Sequence, residues 1–179
     1  MNQTAEALMH RIWAASAGHG DVYAILDTAR DDRIYPRLHD SSLEARCLYE
    51  GPIAQPVAET APYLVPLRPW TPFTESLLEE GWGRSWGIFL SSSALAHDLR
   101  RHFRRFLMVA DENGKQLYFR YYDPRVFRVY LPTCNEAELK FVFGPVERFW
   151  CESEDAREVV EYARRLRGGL EQRPIPIAS

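Results

Sequence analysis

The sequence predicts an α/β protein of the α+β type, with a mixed β-sheet, one β-hairpin and helices packed on the faces of the sheet. Short apolar runs of strand length alternate with stretches of helical periodicity along the chain. The dipeptide Asn113-Gly114 separates two further β-forming runs, which predicts a tight hairpin over residues 107–122. With 179 residues, we expect a single domain over residues 1–170 and an extended C-terminal tail over residues 171–179.

The first half of the chain alternates helices with strands. Thr4 and Thr71 are the expected helix caps, and the near-continuous apolar run at 22–27 is typical of a strand covered on both faces. The predicted elements are a helix over 4–16, a strand over 22–27, a short helix around 34–38, brief strands at 47–49 and 63–65, a helix from Pro72 to Gly81 and a strand over 86–90. Pro52, Pro56 and Pro62 indicate a loop.

An amphipathic helix precedes the predicted hairpin. The serine run 91–93 is its expected cap, and its apolar stripe continues from Leu95 to Phe106, with arginines on the opposite side. A two-residue hairpin turn at Asn113-Gly114 pairs Ala110 with Leu117 and Met108 with Phe119. In this register one face of the hairpin belongs to the core.

After the hairpin, the sequence Asp123-Pro124 predicts the change from strand to helix. Asp123 can cap free backbone amides, and Pro124 suits the first helical position because its missing N–H would have no partner there. We expect this helix to end at Pro132, followed by helical turns over 135–142 and a final strand over 146–150. Ser153, the acids after it and the arginines before Gly168 then predict a last helix.

Composition excludes several classes of function. The net charge of −3 argues against a general nucleic-acid binder, since phosphate affinity needs a basic surplus. Three widely spaced cysteines encode neither a disulfide framework nor a structural zinc site. No stretch predicts a phosphate loop, a signal peptide or a membrane span, so we expect a cytoplasmic protein.

Two groups of residues were considered for catalysis. Gly83-Arg-Ser85-Trp-Gly87 matches the G-x-S-x-G elbow of serine hydrolases, but an elbow follows a strand and opens a helix, whereas Ser85 follows a helix and opens a strand. Asp27 and Asp123 each end a predicted strand, where they can serve as an acid and base pair or as caps. For both aspartates, the sequence favours the role of a cap over that of a catalytic acid or base.

Two other groups are candidates for binding a partner. Four aromatic residues near Gly81 belong either to the core or to an interface, namely Trp70, Phe73, Trp82 and Trp86. The arginines at 100, 101, 104 and 105 form either a solvated helix face or a site for an acidic partner, with Arg101 and Arg105 as the expected contacts. Arg125, in the first turn after Asp123, is either structural or part of this surface.

Seven segments in a fixed order carry a family resemblance. They are Tyr23 to Arg30 (YAILDTAR), Cys47 to Gly51 (CLYEG), Ala61 to Leu67 (APYLVPL), Gly81-Trp82-Gly83, Trp86 to Leu90 (WGIFL), Arg104-Arg105-Phe106, and Phe119 to Val126 (FRYYDPRV) with Tyr130-Leu131-Pro132. Over about residues 20–152, the chain resembles the bacterial type VI secretion effector-chaperone family, whose shared domain was long catalogued as of unknown function.

The resemblance implies a cytoplasmic adaptor that binds a toxic effector and helps to load it onto the VgrG spike. It implies no catalysis and no cofactor, and a protein partner rather than nucleic acid, membrane or a small-molecule substrate. Two alternatives come from the residues themselves. One is a small hydrolase that uses Ser85 or the pair Asp27 and Asp123. The other is a module that binds an acidic partner or nucleic acid through the arginine row.

Overall fold

The structure is a computed structural model that describes residues 1–51, 57–110 and 112–177. The helices are α1 Gln3–Ser16, α2 Ile34–Asp40, α3 Pro72–Gly81, α4 Ala96–Arg104, α5 Pro124–Tyr130 and α6 Glu136–Phe143. The strands are β1 Asp21–Asp27, β2 Arg46–Cys47, β3 Pro62–Leu67, β4 Gly87–Ser92, β5 Met108–Ala110, β6 Gln116–Tyr118, β7 Arg148–Glu152, β8 Glu158–Arg164 and β9 Leu170–Pro176. The predicted loop residues Pro52 and Pro56 lie outside the described ranges.

Seven of the described strands form one sheet in the order β2-β3-β1-β4-β7-β8-β9, and β5 and β6 form a separate two-stranded sheet. The described strand pairs are antiparallel. The predicted α+β class, with helices on a sheet and a separate hairpin, is confirmed, but the parallel pairs that a mixed sheet would contain are not among the described strand pairs. Strand β1 is covered on both faces as expected, because Tyr23 and Ile25 join one hydrophobic cluster while Ala24 and Leu26 join the other.

Local capping signals predicted some helix starts and missed others. Thr71 and Asp123 cap α3 and α5, each followed by a proline at the start of the helix, as predicted. Helix α1 begins one residue before the expected start and is capped by Asn2 rather than Thr4. The serine run does not cap α4, whose N-cap is Leu95.

The predicted last helix is wrong, because β8 and β9 form a hairpin there. The charges that suggested a helix dipole flank a strand whose Val159 and Val160 face opposite hydrophobic clusters. These β-branched residues complete both layers of the sheet beside β7, a long-range demand that overrides the helical pattern. Residues 171–176 of the expected tail are extended, but they pair with β8 as part of β9, and β7 is therefore not the final strand.

The predicted hairpin exists, with strands shorter than expected and shifted by one residue. Met108 lies opposite Tyr118, and Val109 lies opposite Leu117. A two-residue type I′ turn needs positive φ at both central residues, whereas among residues 112–115 only Gly114 has it, at 78°. The expected core face is also wrong, because the paired strands are exposed on both faces.

Candidate functional site

Asp27, at the end of β1, is a buried carboxylate with an arginine partner. Its side chain is 1% exposed, and Arg120 Nη2 donates to Oδ2 at 2.7 Å. The backbone N–H of Ala29 donates to Oδ1 at 3.2 Å. Burial raises the pKa of Asp27 above its ordinary value, although Arg120 opposes that change. Asp27 therefore connects the end of β1 to the chain that follows the hairpin.

Asp123, the other predicted acid, is held by the first turn of its own helix. Its Oδ1 accepts the backbone N–H of Arg125 at 2.9 Å, and the guanidinium of Arg125 binds Oδ2 at 2.6 Å. Burial alone raises the pKa of Asp123, but the hydrogen bonds from Arg125 outweigh it, so the pKa lies below its ordinary value. Arg125 is half exposed, and its pairing with Asp123 supports the structural interpretation of both residues.

Ser85 is buried and hydrogen-bonded to a carboxylate that the sequence did not single out. Glu152, at the end of β7, accepts the N–H of Gly83 at 2.6 Å, the N–H of Ser85 at 3.0 Å and the hydroxyl of Ser85 at 3.1 Å. Ser85 lies between α3 and β4, the reverse of the elbow order. Its contacts are those of a turn fixed to a buried acid, and no local motif identifies Glu152, since the contact spans 67 residues.

The aromatic group near Gly81 belongs mainly to the core. Trp86 is buried and donates its Nε1–H to Asp31, and Trp82 is half-buried with its Nε1–H on the carbonyl of Ala156. Phe73 is half-buried against the same hydrophobic cluster as these two rings. Trp70 is the exposed member of the group, and its ring makes a T-shaped contact with the ring of His10. The structure therefore does not bring the four rings together as a surface.

The arginines of α4 divide into two pairs. Arg100 Nε donates to the carbonyl of Cys47 at 2.7 Å, and Arg104 Nε donates to the carbonyl of Leu48 at 3.1 Å, so this pair fastens the segment after β2. Arg101 is 75% exposed and pairs only with Asp98 among the described residues. The exposed guanidinium of Arg105 lies 4.7 Å from the centre of the Phe141 ring, also without an ion-pair partner in the described part of the chain. Of these four arginines, Arg101 and Arg105 are the two whose guanidinium groups are exposed.

An apolar surface that the sequence interpretation placed partly in the core lies on the hairpin. We call it the hairpin patch, and it consists of two pairs on opposite faces of the hairpin, Met108 with Tyr118 and Val109 with Leu117, whose side chains are 39–54% exposed. Leu107 and Phe119, at the base, pack against the core and fix the hairpin to the domain. Tyr118 contacts Tyr49 at 5.4 Å between ring centroids. The predicted register of β5 and β6 was wrong by one residue and placed part of this surface in the core.

The chain belongs to the family described as "Domain of unknown function (DUF4123)", whose model matches residues 22–140. The match includes β1 to β6 with the hairpin patch and α4, whereas β7, β8 and β9 lie beyond it. No curated protein and no solved structure matches the chain. No described helix is long and apolar enough to cross a membrane, and no described group of His, Cys, Asp and Glu side chains is placed to hold a metal ion.

Proposed function

We propose that this protein is a non-catalytic cytoplasmic adaptor that binds a type VI secretion effector and promotes its loading onto the VgrG spike. The observation that carries the proposal is the hairpin patch, an exposed apolar projection that follows directly after the exposed cations Arg101 and Arg105. The family resemblance of residues 20–152 supports the same class of function, and supplies the identity of the cargo and of the spike.

The hairpin patch has the composition of a recognition site. Aromatic residues, methionine and arginine are enriched at protein interfaces, and exposed apolar side chains grouped on one projecting hairpin are typical of a segment that binds another protein. Full burial of one side chain of this size is worth about 1.5–3 kcal/mol relative to exposure. Because these four are already half-buried, covering the patch provides a favourable contribution of a few kcal/mol, before the ordering cost is subtracted.

The hydrolase and the nucleic-acid module receive less support from the hydrogen bonds and ion pairs of the residues they would use. A serine nucleophile needs both a base within hydrogen-bond reach and access to a substrate; Glu152 is within reach of the Ser85 hydroxyl at 3.1 Å, but Ser85 is only 7% exposed. Asp27 and Asp123 are each engaged by their own arginine. The nucleic-acid alternative is weakened in the same way, because Arg100 and Arg104 are occupied by backbone carbonyls.

The proposal is tested by co-expressing the protein with the toxin encoded beside its gene, followed by size-exclusion chromatography. We expect a complex that survives dilution to micromolar concentration and a loss of toxin secretion when the adaptor gene is deleted. Ser85→Ala is the matched control, and it should restore secretion fully in the deleted strain. Separate elution of the two proteins at micromolar concentration would contradict the proposal, and loss of secretion with Ser85→Ala would favour the hydrolase.

A further inference from the structure

Strand β9 forms one edge of the large sheet, and prolines block its outward side. The bonds Arg165 N–H to Gly169 carbonyl and Ile177 N–H to Arg157 carbonyl show that odd-numbered residues of β9 face β8. Pro174 and Pro176 therefore face outward, where neither has an N–H to offer an added strand. The β9 edge is closed to strand addition over this half.

At the other edge of the large sheet, the side chains of Arg100 and Arg104 donate to backbone carbonyls of β2 and of the residue after it. Leu48 N–H donates to the carbonyl of Pro62, so Cys47 is the residue whose carbonyl faces outward, and Arg100 Nε occupies it at 2.7 Å. Pro62 lacks the N–H that would return a bond to Leu48, and Arg104 Nε supplies that bond at 3.1 Å. Each edge of the large sheet is thus closed at particular positions, by Pro174 and Pro176 in β9 and by Arg100 and Arg104 at β2.

The hairpin β5–β6 has no such protection. Phe119 N–H donates to the carbonyl of Leu107, so Val109 faces Leu117 within the ladder. The backbone groups of the alternate residues face outward, those of Met108 and Ala110 along β5 and those of Gln116 and Tyr118 along β6. Within the described part of the chain, no residue donates to or accepts from these outward groups.

We propose that an extended segment of the partner, alternating apolar and acidic residues, adds to the β5–β6 hairpin as a third strand. This rests on the proposed function and specifies how the effector is held. A two-stranded hairpin is marginal in water, and a third strand with an apolar face completes it. The pleat then places alternate apolar side chains of the segment beside one pair of the hairpin patch, either Met108 with Tyr118 or Val109 with Leu117.

The positive charges of Arg101 and Arg105 beside the hairpin favour an acidic partner segment. Arg105 lies three residues before Met108 at the end of α4, and Arg101 lies one helical turn earlier. An acidic segment complements these two cations. A second copy of this chain would bring the same arginines to the junction, and like charges directly opposed are destabilising. Between the two strands the sequence adds the acids Asp111 and Glu112 and the base Lys115, so the preference for an acidic segment rests on Arg101 and Arg105 alone.

The test uses proline at outward positions, because proline removes an N–H without breaking the ladder inside the hairpin. Ala110→Pro acts on the β5 edge and Gln116→Pro on the β6 edge. Their matched controls, Ala110→Ser and Gln116→Ala, change the side chain and keep the N–H. The affinity of each folded variant for the co-expressed toxin is measured by titration. Amide hydrogen exchange of the unmodified complex provides a second measurement that needs no substitution.

We expect one proline variant to bind about tenfold more weakly or worse, equivalent to about 1.4 kcal/mol, while its control stays within about twofold. The outward amides of the same edge should gain exchange protection in the complex. Arg101→Glu with Arg105→Glu should weaken binding at least about tenfold, and raised salt should weaken the unmodified complex.

Three results would overturn the inference. If both proline variants bind normally and no outward amide is protected, the strand is not added, although the proposed function survives. If the controls lose as much affinity as the prolines, side chains rather than the backbone hold the partner. If the protein alone forms a dimer that either proline disperses, the occupant is a second copy. Absence of any complex with the unmodified protein overturns the inference together with the proposed function.

Discussion

Strand β9 and the hairpin β5–β6 both have backbone groups that face away from their paired strands, but they carry different kinds of residue at those outward positions. In β9, Pro174 and Pro176 occupy outward positions and remove the N–H groups that an incoming strand would use. In the hairpin, the outward positions carry ordinary residues, and apolar side chains remain exposed beside them. The β9 edge is therefore closed to an added strand at Pro174 and Pro176, whereas the outward backbone groups of the hairpin have no partner among the described residues, as the proposed binding of an effector segment requires.

The largest expected effect on stability is at Phe127, in the core between α5 and the large sheet. Phe127 is fully buried and its ring lies 5.1 Å from that of Phe149 and 5.5 Å from that of Tyr162. Phe127→Ala should lower the free energy of unfolding by about 3–5 kcal/mol, because it leaves a cavity between α5 and the sheet. Urea denaturation measures the loss in unfolding free energy. A loss below about 1 kcal/mol would contradict the view that stability lies in this core rather than in the hairpin.

A smaller effect is expected at the base of the hairpin. Arg120→Met leaves Asp27 buried without its cation and should cost about 1–2 kcal/mol at neutral pH, less than a fully buried pair because Arg120 is half exposed. The pKa of Asp27 is already raised, so its protonation favours the folded state. The deficit should therefore shrink as pH falls through the raised pKa of Asp27. Denaturation curves at neutral and acidic pH check the sign, and a deficit that grows in acid would contradict it.

Asp123 should show the opposite dependence on pH. Asp123→Ala removes the cap of α5 and should cost about 1 kcal/mol. The pKa of Asp123 is lowered in the folded protein, so its contribution is present above its ordinary pKa of 3.8 and is lost as pH falls through the lower folded value. The variant and the unmodified protein should thus converge in strong acid. A constant difference across the acid range would mean that the charge of Asp123 contributes nothing.

The smallest effect on stability is expected where the β9 edge is opened. Pro174→Val with Pro176→Val restores two outward N–H groups and should change the free energy of unfolding by less than about 1 kcal/mol. The same variant should self-associate with rising concentration, as measured by light scattering, because an unprotected edge strand pairs with another copy. Leu166→Ser in the turn between β8 and β9 is the control, and it should remain unassociated. A monomeric double variant would show that the prolines do not protect this edge.

Short-range signals in the sequence predicted the parts of the fold that depend on neighbouring residues. Thr71-Pro72 and Asp123-Pro124 mark helix starts because a cap and a fixed φ act within one turn. The helix predicted after Ser153 failed because β8 is fixed by pairing with β7 and β9, which local periodicity does not report. Glu152 was missed for the same reason, since its partners Gly83 and Ser85 are distant in the chain.

The candidate surface was predicted less completely than the fold. Arg101 and Arg105 were identified from helical spacing, and both are exposed. The aromatic residues near Gly81 were undecided between core and interface, and folding buries Trp86. The hairpin patch depends on the register of β5 and β6, where a shift of one residue exchanges the two faces.

The most direct measurement titrates the co-expressed toxin into Val109→Ser with Leu117→Ser, a double variant in the hairpin patch. Leu166→Ser is the control, since it removes an exposed apolar side chain elsewhere. We predict an affinity loss of about tenfold or more for the double variant, an unfolding free energy within about 0.5 kcal/mol per substitution, and normal binding by the control. A double variant that binds the toxin as tightly as the unmodified protein would contradict the assignment of recognition to the hairpin.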